Sequence, residues 1–225
     1  MKEVLSNGIR VIVRENRAVP VVAVQAGFLA GVRGEPKEKG GVANLTAGML
    51  LKGTTRQTAR EIAEAVEDMG ADLNGYSGRN SFGLQGKFLQ RDFETAFRLF
   101  AESLLEPTFP AEELEKKRIE TLGALKQQKD QLTQATILLF LAAQYGDHPY
   151  GRNPLGTENA VLAMTPEDLK AYYERWTDPR NMVIAISGDI DAGKRSQRSA
   201  RRSGRCRSGR GSRRWGRCRS PRTMR

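Results

Sequence analysis

Few residues in this chain could do chemistry, and their placement is unusual. The 225 residues include one histidine, His148, inside "DHPYGRNPLGTE", and two cysteines, Cys206 and Cys218, both beyond residue 191. A disulfide framework or a cysteine-based metal site is therefore absent from the body of the protein. The setting of His148, "HPYG", reads as turn chemistry rather than ligation. Carboxylates remain at Glu35 and Glu38 in "VRGEPKEKGG" and at Glu120 in "RIETLGALKQ". Between them runs "GGVANLTAGMLLKGT", whose apolar stretch from Val42 to Leu51 is long enough for a helix. Asn44 and Gly48 stand four apart on it, on one face, with Ala47 between. An amide, a methyl group and a hydrogen supply neither a base nor a metal ligand of any strength. Gly48 would cost about 1 kcal/mol in a helix interior relative to Ala, which fits a place where another surface approaches closely.

Charge divides the chain in two. Of its 37 Lys and Arg, 14 lie from residue 192 onward with no Asp or Glu, so the part to Asp191 carries 23 basic against 26 acidic residues, a net of −3. The formal +11 thus belongs to the tail, and the body is a mildly acidic domain spanning 1–191. The tail, 192–225, is rich in Arg, Ser and Gly with almost nothing to bury, and is expected to be disordered. Two origins fit it. An out-of-frame reading of GC-rich coding DNA crowds these residue types together without acids, and that reading is preferred; the alternative is an arm that holds nucleic acid through phosphates. No stretch approaches the roughly 20 apolar residues of a membrane span, and "MKEVLSNGIR" lacks the apolar core of a signal peptide. The chain as written reads as cytoplasmic, or as periplasmic if a natural leader precedes it.

The elements that must position these residues follow from periodicity and punctuation. "NGIRVIVREN" and "VPVVAVQAGFLAG" read as two antiparallel strands. "TAREIAEAVEDMGA" has Thr58 and Glu61 in capping-box spacing, and Gly70 stops the helix. "ADLNGYSGRNSFGLQGKFL" is a hairpin with Phe82, Leu84, Gly86 and Phe88 on one face. "DFETAFRLFAESLLEP" stripes Phe93, Ala96, Phe97, Phe100 and Leu104 on a helix. Pro110 opens a long helix running to about Leu132, "ATILLFLAAQYG" is a further apolar helix, and Thr165 caps another with Pro166 at its first position. "NMVIAISGD" closes the body as a strand. This order implies an α+β domain, helices packed on a mostly antiparallel sheet.

Five stretches in this order, "LSNGIRVIVREN", "AGVRGEPKEKGGVANLTAGMLLKGT", "GADLNGYSGRNSFGLQGKFL", "HPYGRNPLGT" and "NMVIAISGDID", resemble the pitrilysin and insulinase family of zinc metallopeptidases, in particular its mitochondrial-processing-peptidase-like branch. The resemblance covers residues 3–191 and implies the LuxS/processing-peptidase-like metallopeptidase domain. That family carries HxxEH on its first helix, two His binding zinc and the Glu activating the bound water. Here the motif positions fall on Asn44, Ala47 and Gly48, and the third ligand, a Glu on a later helix, falls near Ala124. The resemblance therefore implies a peptidase scaffold without catalytic residues, metal ligands or zinc of its own.

It also implies partners. Family members pair homologous domains around a chamber, and in the dimeric branch a zinc-binding subunit works with one lacking the metal motif. The expected role is that inactive helper, with zinc only in the homologous partner subunit and an extended peptide laid along the strand at Asn74, Gly75, Tyr76 and Ser77. The alternatives are a structural core subunit, as in respiratory complexes, and the nucleic-acid arm. Limited trypsin digestion tests the division at Asp191: the tail should be removed and the body should keep its thermal transition, and a transition that collapses with the tail would refute it.

Overall fold

The computed structural model describes residues 1–191; the basic tail, Cys206 and Cys218 lie outside them. Among the described residues six strands form one sheet: β1 (Lys2–Val4), β2 (Arg10–Glu15), β3 (Val21–Leu29), β4 (Asp72–Ser77), β5 (Ser81–Leu89) and β6 (Met182–Gly188). Their spatial order is β1-β2-β6-β3-β5-β4. The β2–β6 ladder is parallel; the other four are antiparallel.

The α-helices that accompany this sheet are α1 (Val42–Met49), α2 (Ala59–Asp68), α3 (Phe93–Leu105), α4 (Ala111–Asp130), α5 (Leu132–Tyr145), α6 (Glu158–Ala163) and α7 (Pro166–Trp176). Period-2 alternation decides which face they cover. Val22, Val24, Ala26 and Phe28 of β3, Phe82, Leu84 and Phe88 of β5, and Met182, Ile184 and Ile186 of β6 join α1, Phe100 and Leu169 in one buried cluster. Gln25, Gln85 and Lys87 on the reverse face stay exposed. The α+β architecture expected from the sequence is the one found.

One strand pairing differs. β2 and β3 run antiparallel in space but do not touch, because β6 lies between them, Val13 opposite Ile186 and Ile186 opposite Val24. The physical reason is burial: Met182, Ile184 and Ile186 alternate with Val183, Ala185 and Ser187, whose side chains are small enough for the centre of a sheet. Two further elements escaped the sequence reading, the three-residue β1 and the six-residue α6, both too short to show a period. The long helix ends at Asp130 rather than Leu132, and α5 begins there after an extended Gln131.

The local signals read from sequence hold at the caps. Thr58 and Glu61 exchange both capping-box bonds at the start of α2, and Thr165 and Asp168 do the same for α7. Gly70 ends α2 with φ of 55°.

Glycine also sets the distance between β4 and α1. A Cβ on Gly75 would stand 1.9 Å from the Ala47 carbonyl oxygen. Since that obstacle is backbone, Gly75→Ala should destabilise the protein by about 1–3 kcal/mol, whereas Gly123→Ala, with open space around it on α4, should gain up to about 1 kcal/mol from helix propensity. Chemical denaturation of the two variants checks the contrast; equal stabilities would refute the close packing of β4 on α1.

Candidate functional site

Helix α1 buries Val42, Ala43, Leu45, Thr46, Ala47 and Met49, leaving Asn44 and Gly48 as its partly exposed positions. These are the i and i+4 residues, so the helix opens one narrow stripe to the outside. Helix α4 crosses beside it and closes the stripe at one end. A Cβ on Gly48 would lie 2.6 Å from Lys117 Cε, so the lysine stem fills the volume a side chain at 48 would need. The close approach anticipated at Gly48 is thus made by Lys117.

The Lys117 ammonium donates to Glu120 Oε1 at 2.6 Å. Its side chain is 19% exposed, that of Glu120 67%, so Glu120 faces solvent and is engaged by the lysine rather than aimed at α1. Ala124 is half-buried further along α4, on the side of Thr121, whose hydroxyl donates to the Lys117 carbonyl at 2.8 Å. Ala47 is buried beside β4, against Gly75.

The donor set does not fit zinc. Asn44, Gly48 and Ala124 bring no imidazole or carboxylate, Lys117 adds a positive charge at the same place, and among the described residues no three His, Cys, Asp or Glu form a group able to hold a metal ion. His148 serves the turn around it instead. Its Nδ1 accepts the Tyr150 N–H at 3.2 Å, and its ring packs edge-on against Tyr150 and near Tyr145.

What holds α1 is Glu35. Its Oε2 accepts the Gly41 N–H at 3.1 Å and its Oε1 the Ala43 N–H at 3.0 Å, placing a carboxylate on the helix N-terminus. Burial pushes the Glu35 carboxyl up to about 7, although the Gly41 and Ala43 amides and the Arg152 guanidinium each pull it down. Arg152 also donates to the Glu35 backbone carbonyl at 3.1 Å. Behind it, Arg79 in the β4–β5 turn donates to the carbonyls of Tyr150 and Arg152, and the Tyr150 hydroxyl donates to Asn80 Oδ1 at 2.6 Å. The turn also carries the preceding loop through Val32 N–H to Gly78 O and Arg33 N–H to Arg79 O. Tyr172 completes the cluster, its buried hydroxyl donating to Gly31 O at 2.9 Å, with burial and the Glu35 charge raising its pKa.

The four peptide-contact candidates lie together on β4, the last strand of the sheet, against α1. One edge of β4 pairs with β5, and the other has no strand partner among the described residues. The side chains split between faces. Gly75 and Ser77 turn toward the helices, with Ser77 Oγ buried and unpartnered. Asn74 bonds Asp72, and the Tyr76 hydroxyl lies against Gly27 on the reverse face. Burial raises the Tyr76 pKa, opposed by hydrogen bonds with Gln25 and Ser81. What the four share is therefore the backbone edge, not a side-chain pocket.

Comparison with solved structures places this frame among peptidase domains. A Pseudomonas fluorescens structure described as a peptidase M16 inactive domain superposes with a TM-score of 0.84 at 28% identity, over 91% of this chain and 50% of that one. The insulinase (peptidase family M16) family model matches residues 10–158, and the peptidase M16 inactive domain model matches 163–196. The chain belongs to the insulinase family, M16. An uncharacterized zinc protease of Mycobacterium leprae is 32% identical over 187 residues, 83% of this chain and 42% of that protein. A probable mitochondrial-processing peptidase subunit beta of Arabidopsis thaliana is 30% identical over 186 residues, 83% of this chain and 35% of its own length. The chain thus spans less than half the length of these curated relatives.

The Glu35 cap makes stability depend on pH. Because its folded pKa of about 7 exceeds the ordinary glutamate value of 4.5, the folded state binds the proton more tightly; the contribution is full below about 4.5 and is lost as pH rises through about 7. The thermal midpoint should fall from pH 5 to pH 8, and Glu35→Gln, which cannot ionise, should flatten that slope. An identical slope in the variant would show that Glu35 titrates normally.

Proposed function

We propose that this protein is a non-catalytic member of the M16 family that serves as the helper subunit of a zinc-bearing homologue. The observation that carries the reading is the open stripe of α1. The framework around it is intact, from the Glu35 cap to the edge strand, while Asn44, Ala47, Gly48 and Ala124 stand at the positions that the family resemblance gives to the ligands and the base. A scaffold with a preserved peptide edge and no chemistry is useful beside a subunit that has the chemistry. In such a pair, extended peptide adds to the free edge of β4 through backbone hydrogen bonds, with little demand on sequence. Zinc and the activated water belong to the partner.

Two measurements test this. The purified protein should retain no stoichiometric zinc after dialysis and cleave no peptide alone; a zinc-to-protein ratio near one, abolished by Glu120→Gln or His148→Ala, would refute it. Co-expression with an HxxEH-bearing homologue from the same genome should give a complex that cleaves an unfolded peptide faster than the homologue alone. Full activity from the zinc subunit alone would leave a structural subunit as the better account.

A further inference from the structure

Lysines on a surface helix usually lay their stems along the protein and hold the ammonium in water. Lys117 does otherwise. A Cβ on Gly48 would stand 2.6 Å from its Cε and 3.4 Å from its Nζ, so the ammonium as well as the stem sits at the open stripe of α1. An ammonium has three donors, and among the described residues Lys117 uses one, to Glu120. Gly48 also meets the edge strand, its amide nitrogen 3.3 Å from where a Cβ on Gly75 would be. One residue of α1 therefore separates the Lys117 ammonium from β4. A peptide strand added to the free edge of β4 would lie about 4.8 Å from it. Every second side chain of that strand would rise on the helix side of the sheet, the side of Gly75 and Lys117.

Charge narrows what such a side chain would be. Helix α1 carries no charged residue, and the one carboxylate of β4, Asp72, lies on the reverse face of the sheet with Gln25, Gln85 and Lys87. On α4, Glu113 is taken by Lys116. Glu120 reaches Lys117 from the solvent side, where water and salt screen its charge. The ammonium is held by its packed stem and is more shielded from water than its partner, so its field toward α1 and β4 is the less screened of the two. We propose that Lys117 selects acidic peptide: an extended chain on the edge of β4 places an Asp or Glu side chain against the Lys117 ammonium beside Gly48. This rests on the reading of β4 as a peptide edge and adds the residue that sets its preference.

The test compares two unfolded peptides of equal length, one with Glu at alternate positions and one with Gln in their place, by fluorescence anisotropy on the full chain and on its mixture with the HxxEH-bearing homologue. Lys117→Met keeps a stem of similar length over Gly48 and removes the charge, so its thermal midpoint should stay that of the unaltered chain. The basic segment 192–225 attracts the Glu peptide equally in both proteins, so the effect is read as the change in the Glu-to-Gln affinity ratio on substitution. That ratio should fall about fivefold in Lys117→Met, and should rise in Glu120→Gln, which releases the ammonium. A ratio unchanged in both variants overturns the selection by Lys117 and leaves the peptide edge standing. If neither peptide binds the chain or the mixture, the peptide edge falls and the proposal with it. Should Lys117→Met lose its thermal transition, Glu120→Gln decides alone, an unchanged ratio there overturning the proposal.

Discussion

A buried carboxylate holding the first turn of a short helix is the contact on which the rest of this domain depends. Helix α1 is eight residues long and carries no charge in its first turn, so it has little stability of its own. Glu35 supplies what it lacks, two acceptors for its orphan N–H groups. The same residue is gripped by Arg152, which the β4–β5 turn grips in turn through Arg79. Three segments far apart in sequence are thereby locked to one helix, and the edge strand is delivered against it at Gly75. Three of the five stretches that carry the family resemblance are these same segments, holding Glu35, Arg79 and Arg152.

Legibility in the sequence followed the range of the interaction. The caps of α2 and α7 are local, and Thr58 with Glu61 and Thr165 with Pro166 announced them. The alternation in β5 likewise foretold which side chains are buried. Contacts across the chain were another matter. The seating of Lys117 over Gly48 joins α1 to α4, and only the cost of a glycine in a helix hinted that something must lie there. The pairing of β2 with β6 could not be read from adjacency, which favours hairpins. The candidate site itself was legible only through the family resemblance, because Asn, Ala and Gly carry no chemical signal of their own. Nothing in "ATILLFLAAQY" distinguished a core helix from one lying open on the surface, since apolar residues fit both.

Helix α1 presents Asn44 and Gly48 on its open stripe with Ala47 buried between them, and none of the three carries a charge. A zinc site would bring a dication and charged or polarised ligands into the cleft, and its second shell would have to answer that charge. Where α4 meets α1 at Gly48 it brings one ion pair, Lys117 with Glu120, half in solvent and of modest energetic weight. The helix is held by its cap and by packing.

The central place of β6 has a consequence for how the protein is made. β2 and β3 emerge early from the ribosome, yet the strand that joins them is the last element of the body to be synthesised. Until Met182–Gly188 arrives, both carry an open hydrogen-bonding edge, and the Val-rich strand β3 in particular is exposed to wrong partners. Closure of the sheet then requires contacts between the two ends of the domain, which are slow to form because of the loop they enclose. Nascent chains of this protein therefore carry two open strand edges until the end of the body is made, and mispairing at those edges is the hazard that the order of synthesis creates.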